Sequence, residues 1–86
     1  MTRLVYVNGA FVPEAEAKVS VFDRGFLMAD GVYEVTSVLG GKLLDFQGHC
    51  VRLNRSLSEL DIANPHGDAE WLALFRQAVE LNAVVD

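Results

Sequence analysis

His49, Arg52 and Arg55 recur every third residue in a segment with no acidic residue between Asp45 and Glu59, although the chain carries a formal net charge of −5. This is its one local cluster of basic residues, and arginine is the side chain best shaped for chemistry with anions. Its planar fork of N–H donors matches phosphate or carboxylate, and its long stem can lie over apolar surface while the head reaches a ligand. At about 100° per residue, with the apolar stripe of a helix as zero, His49 falls roughly 60° to one side, Ser56 about 80° and Arg52 about 120°, while Arg55 falls on the far face. Two readings stand for the arginines. Arg52 binds an anion, or it is solvated while Arg55 pairs with Glu59 one turn on. His49, at the edge of the stripe, is either a packed, hydrogen-bonded residue or a chemical participant.

Other residues offer less. Tyr33 can pack its ring while offering its hydroxyl to a ligand, so core and pocket both suit it. Asp23, Arg24 and Asp30 read as a loop network bonding to backbone, with Gly25 and Gly31 supplying turns. Cys50 sits within the apolar stripe as a small buried hydrophobe, and no other cysteine or suitably spaced histidine suggests a metal. The stretch "LGGKL" lacks the spacing and the following helix of a phosphate-binding loop.

The elements that must position these residues follow from period and turn chemistry. Asn8-Gly9 supplies positive φ for a hairpin of Leu4–Val7 against Phe11–Val12. A second hairpin is expected from Val32–Leu39, through Gly40-Gly41, to Lys42–Leu44, with Tyr33, Val35, Ser37 and Leu39 on one face. Phe46, Cys50, Leu53, Leu57 and Leu60 recur at spacings of four and three, an amphipathic helix with Asp45 placed to cap it and Gly48 weakening its first turn. "ANPHGD" breaks that helix. Asp68 is expected to cap a second one, carrying Trp71, Leu72, Phe75, Ala78 and Val79 inward and ending near Asn82. Hairpins followed by helices imply an α+β, two-layer sandwich of N-terminal β-hairpins packed by two helices.

A chain of 86 residues suits one domain with a modest core, yet 51% of it is apolar, so an exposed apolar face is expected. The negative charge disfavours nucleic acid and anionic membranes as partners. The single cysteine suits a reducing compartment, and the start "MTRLVYVNG" has no long apolar run, so a cytoplasmic location is expected. The tail "NAVVD", with apolar Val84 and Val85, reads as though a further strand followed.

The succession "VNG", "VSVFDRGFLMADGVYEV", "GGKL" and "HCVRLNRSLSEL", over about the first 60 residues, resembles the N-terminal part of class IV aminotransferases, the fold-type-IV enzymes that use pyridoxal phosphate. "YEVTSVLGGKL" is more similar to the D-amino-acid transaminases than to branched-chain aminotransferases or aminodeoxychorismate lyase. The resemblance implies that residues 1–86 form an N-terminal small domain, incomplete, of a homodimeric enzyme passing the amino group of a D-amino acid such as D-alanine to a 2-oxo acid. It implies that Arg52, in the "H-x-x-R-L" helix, grips the cofactor phosphate, and that Tyr33 and Val35 line the substrate pocket. Arg24 and Asp30 would shape the loop ahead of the strand. Met28-Ala29 and Gly48 depart from the family's usual residues. The lysine that carries the cofactor lies in a later domain of such enzymes, and neither Lys18 nor Lys42 matches it. No catalytic residue is therefore expected within this chain, which should be inactive by itself. The rival expectation is a non-enzymatic stub that dimerises or binds a partner through its apolar surface.

Overall fold

The computed structural model describes residues 2–84; Val85, part of the suspected further strand, lies outside them. Strands β1 (Leu4–Val7) and β2 (Ala10–Pro13) pair antiparallel, with Val7 opposite Ala10. Asn8 and Gly9 have φ of 50° and 91°, the left-handed pair that a two-residue hairpin turn needs. A single 3-10 turn, Glu14–Glu16, follows. A five-residue helix, α1 (Arg24–Met28), lies where sequence suggested only loop. Asp23 caps it by accepting from the Phe26 N–H at 3.3 Å, and Arg24 Nε donates to Asp30 at 2.8 Å across its end. The expected loop network therefore exists, wound around one helical turn.

The second hairpin is shorter than its β-branched run predicts. Only β3 (Val38–Leu39) pairs with β4 (Lys42–Leu43), across Gly40 and Gly41 at φ 58° and 76°. Ser37 adds one more bond, its carbonyl accepting from the Leu44 N–H at 3.0 Å. Residues 32–36 have no partner strand among the described residues, yet the segment keeps the period of two. Val32, Glu34, Thr36 and Val38 are partly covered, and Tyr33, Val35, Ser37 and Leu39 are exposed. Alternation is a property of extended backbone itself and survives without a neighbour, whereas ladder bonds do not. The two hairpins form two separate two-stranded sheets.

Helices α2 (Phe46–Glu59) and α3 (Asp68–Leu81) lie where the 3.6-residue period puts them. Their caps differ from expectation. Asp45 takes a left-handed conformation, φ 52°, and its side chain makes no capping bond. Its carboxylate instead lies against Gly48, where a Cβ would collide with it, so that glycine makes room for the folded-back aspartate. Gly67, not Asp68, caps α3. The Glu70 carboxylate accepts from the Gly67 N–H at 3.5 Å, while Asp68 places its charge in the first turn, at the positive end of the helix dipole.

Packing runs along an aromatic chain. Phe46 of α2 meets Phe75 edge-on, Phe75 meets Trp71, Trp71 meets His66, and His66 reaches Tyr6, which packs on Phe11 of the first hairpin. Asn82, just past α3, accepts from the Leu4 N–H at 2.7 Å and donates to the Leu4 carbonyl at 2.9 Å, standing where a neighbouring strand residue would. The buried core is small. Among the described residues it is Cys50 and Leu57, with Leu60 of the predicted stripe exposed beyond the end of α2. The expected exposed apolar face is present, with Phe22, Phe26, Met28, Tyr33 and Val35 all largely open to solvent.

Candidate functional site

Glu34, His49 and Arg52 form a compact group of charged side chains that joins separate elements. His49 and Arg52 are three residues apart on α2 and so share a helix flank; Glu34 comes from the covered face of the extended segment 32–37. His49 Nδ1 lies 2.6 Å from Glu34 Oε1, and Arg52 Nε lies 3.4 Å from the same oxygen. Arg52 Nη2 lies 2.9 Å from His49 Nδ1. One ring nitrogen cannot both donate to Glu34 and accept from Arg52. With Glu34 ionised, the short contact assigns the proton to Nδ1, so Nδ1–H donates to the carboxylate and the guanidinium lies beside the ring.

The carboxyl of Glu34 is held below the usual glutamate range. The hydrogen bond from His49 is the main cause, outweighing the opposing effect of burial, with the Arg52 charge adding to it. The Glu34 and His49 side chains are 18% and 16% exposed, whereas Arg52 is 43% exposed. Arg52 thus donates from Nε to Glu34 while its Nη2 lies beside the His49 ring, and its Nη1 end has no protein partner among the described residues. A guanidinium held on one edge and open at the other can take an anion on the open side.

Sequence reasoning found Arg52 and left His49 open, and it missed Glu34. The missed signal was an acidic residue among Val32, Thr36 and Val38 on the covered face of an alternating segment, where a carboxylate requires a cationic or N–H partner. Tyr33 and Val35 lie on the opposite face, 85% and 72% exposed, and are not brought to the cluster. Arg55 is exposed and forms no ion pair with Glu59 among the described residues. Cys50 is buried as expected, its thiol pushed up first by burial and then by the charge of Asp68. A groove of about 660 Å³ beside β4 is lined by Lys42, Phe46, Gln47, Arg76 and Glu80 among others, away from Arg52, Tyr33 and Val35. No helix is long and apolar enough to cross a membrane, and no group of three or more potential metal ligands occurs among the described residues.

Comparison with known proteins gives the cluster a context. No family model matches the chain. Its whole length is homologous to the N-terminal part of D-alanine aminotransferases. It is 38% identical over 80 residues to that of Staphylococcus aureus, covering 93% of this chain and 28% of the relative. With that of Staphylococcus epidermidis, identity is 38% over 86 residues, all of this chain and 30% of the relative. With that of Listeria monocytogenes it is 35% over 80 residues, 93% of this chain and 28% of the relative. The chain therefore spans less than a third of the length of the relatives it matches.

Proposed function

We propose that this chain is the N-terminal, phosphate-gripping portion of a pyridoxal-phosphate aminotransferase that moves the amino group of a D-amino acid such as D-alanine to a 2-oxo acid. The observation that carries the reading is the half-exposed Arg52 guanidinium, bonded through Nε and open at Nη1, in the helix whose "HCVRL" sequence resembles the "H-x-x-R-L" of class IV aminotransferases. The cofactor fits as far as its phosphate is concerned, since a phosphate is the anion an arginine fork accepts best. When bound, pyridoxal phosphate supplies the electron sink for chemistry at the substrate α-carbon.

The residues of this chain have limited roles in that reaction. Arg52 holds the phosphate. Tyr33 and Val35, on the exposed face of the extended segment, line a substrate pocket completed by residues beyond those described. Lys18 and Lys42, the chain's only lysines, lie outside the Glu34–His49–Arg52 cluster. In the proposed enzyme the lysine that carries the cofactor and moves the α-proton is neither Lys18 nor Lys42, and without it these 86 residues would not complete the reaction. The whole would be a two-layer α+β small domain with its catalytic partner domain, working as a homodimer.

The exposed apolar surface around Phe22, Phe26 and Met28 favours a second reading, a non-enzymatic stub that pairs with another copy through that face. Intact mass and visible absorbance of the protein from its native source separate the two. A larger mass with the absorbance of lysine-bound pyridoxal phosphate, and pyruvate formed from D-alanine and 2-oxoglutarate, supports the aminotransferase. A mass matching these 86 residues with no such absorbance supports the stub.

A further inference from the structure

Glu34 poses a problem for an anion site, because a carboxylate beside the binding arginine repels the ligand. Its geometry suggests what offsets that repulsion. One oxygen, Oε1, meets both His49 Nδ1 at 2.6 Å and Arg52 Nε at 3.4 Å, and His49 Nδ1 is 2.9 Å from Arg52 Nη2. The carboxylate accepts from the guanidinium Nε–H, and the imidazole lies beside Nη2. A free arginine head has several rotatable bonds, and fixing it when a ligand arrives costs side-chain entropy. A head already fixed by its neighbours escapes much of that loss.

We infer that Glu34 is the positioning residue of the anion site: it fixes the Nε edge of Arg52, with His49 wedged alongside, and leaves the Nη1 end for phosphate. Glu34 does not touch the ligand. Its position on the covered face, opposite Tyr33 and Val35, lets one extended segment serve both functions, setting the arginine with one side and presenting pocket residues with the other. This inference rests on the reading of Arg52 as the phosphate ligand.

Charge and reach can be separated. Glu34→Gln removes the charge and keeps an acceptor oxygen in place; Glu34→Asp keeps the charge and withdraws the acceptor by about 1.5 Å. The probe is pyridoxine 5′-phosphate, whose alcohol cannot condense with Lys18 or Lys42, titrated calorimetrically into the full chain and its variants, with folding checked by circular dichroism. Arg52→Ala is expected to abolish saturable binding. Glu34→Asp should weaken binding about five-fold or more, and Glu34→Gln should stay within about two-fold of the parent. In parallel, the nitrogen–proton NMR signal of the Arg52 Nε–H should be protected from exchange in the parent and in Glu34→Gln.

Binding lost in Arg52→Ala but unchanged in Glu34→Asp, or markedly tightened in Glu34→Gln, would overturn the positioning role and leave Arg52 as the phosphate ligand. Binding that is absent in the parent, or unchanged in Arg52→Ala, would overturn the phosphate reading and the positioning role with it. Should Glu34→Asp fail to fold, the Arg52 Nε–H signal decides. Protection retained in Glu34→Gln supports positioning through the acceptor, and its collapse there overturns it.

Discussion

The indole Nε1–H of Trp71 donates to Asn64 Oδ1 at 2.8 Å, while the Asn64 side-chain amide donates to Asn54 at 2.8 Å. One loop asparagine thus ties α3 to α2. Replacing it with alanine strips the indole donor and the α2 acceptor of their partner at once. Asn64→Ala should lower stability by about 1–3 kcal/mol. Trp71 is the only tryptophan, so a urea titration followed by its fluorescence reads the loss directly, and an unchanged midpoint would refute the tie.

The pH dependence of stability should carry the mark of Glu34. Its carboxyl is depressed in the folded chain relative to an ordinary glutamate at 4.5, so the unfolded state binds more protons as the pH falls below that value. The contribution is complete above 4.5 and is lost as the pH drops through the depressed folded value. Urea midpoints measured down through this window should fall in the parent and fall less in Glu34→Gln. Parallel curves would show that Glu34 is not linked to folding.

Cys50 should resist thiol reagents. Burial and the nearby Asp68 charge both disfavour its thiolate, and the thiolate is the reactive form. Labelling with an aromatic disulfide reagent at mildly alkaline pH should be slow in the native chain and fast in urea. Equal rates would mean that α2 and α3 do not close over the sulfur.

Thr36 presents a polar atom without a partner, since its Oγ1 is buried and unbonded among the described residues. Thr36→Val keeps the branched shape and removes the unsatisfied hydroxyl. It should raise stability by about 1–3 kcal/mol in a thermal or urea melt. A loss would point to a bond that the hydroxyl makes in solution.

Tyr33 and Val35 should be almost silent for folding. Both are exposed, so Tyr33→Phe and Val35→Ala should change stability by less than about 0.5 kcal/mol. On the proposed aminotransferase reading, the same changes in an enzyme containing this chain should alter kcat/KM for D-alanine relative to bulkier D-amino acids. A large stability loss with unaltered selectivity would make them core residues instead.

What sequence revealed here was what is encoded locally. Asn8-Gly9 and Gly40-Gly41 were readable because both turns demand positive φ, and α2 and α3 because their apolar residues repeat over four turns. Caps were less readable. Asp45 is a good capping residue by type, but its left-handed backbone turns the side chain back over Gly48. The strand pairing expected for residues 32–36 needs a neighbour, and β-branched composition cannot show that none lies beside them among the described residues. Of the charged cluster, His49 and Arg52 were visible as helix neighbours, whereas Glu34 is 15 residues from His49 and 18 from Arg52, and its link to them depends on tertiary approach.

The bonds between Leu4 and Asn82 span 78 residues of sequence, which sets a schedule as well as a geometry. At roughly 5–20 residues per second, Leu4 is made about 4–16 seconds before the residue that fastens it. For much of that interval Val5 and its cross-strand partner Val12 face water or whatever chaperone meets the nascent chain. A slow codon run ahead of Asn82 would lengthen the exposure without changing a single contact in the finished molecule.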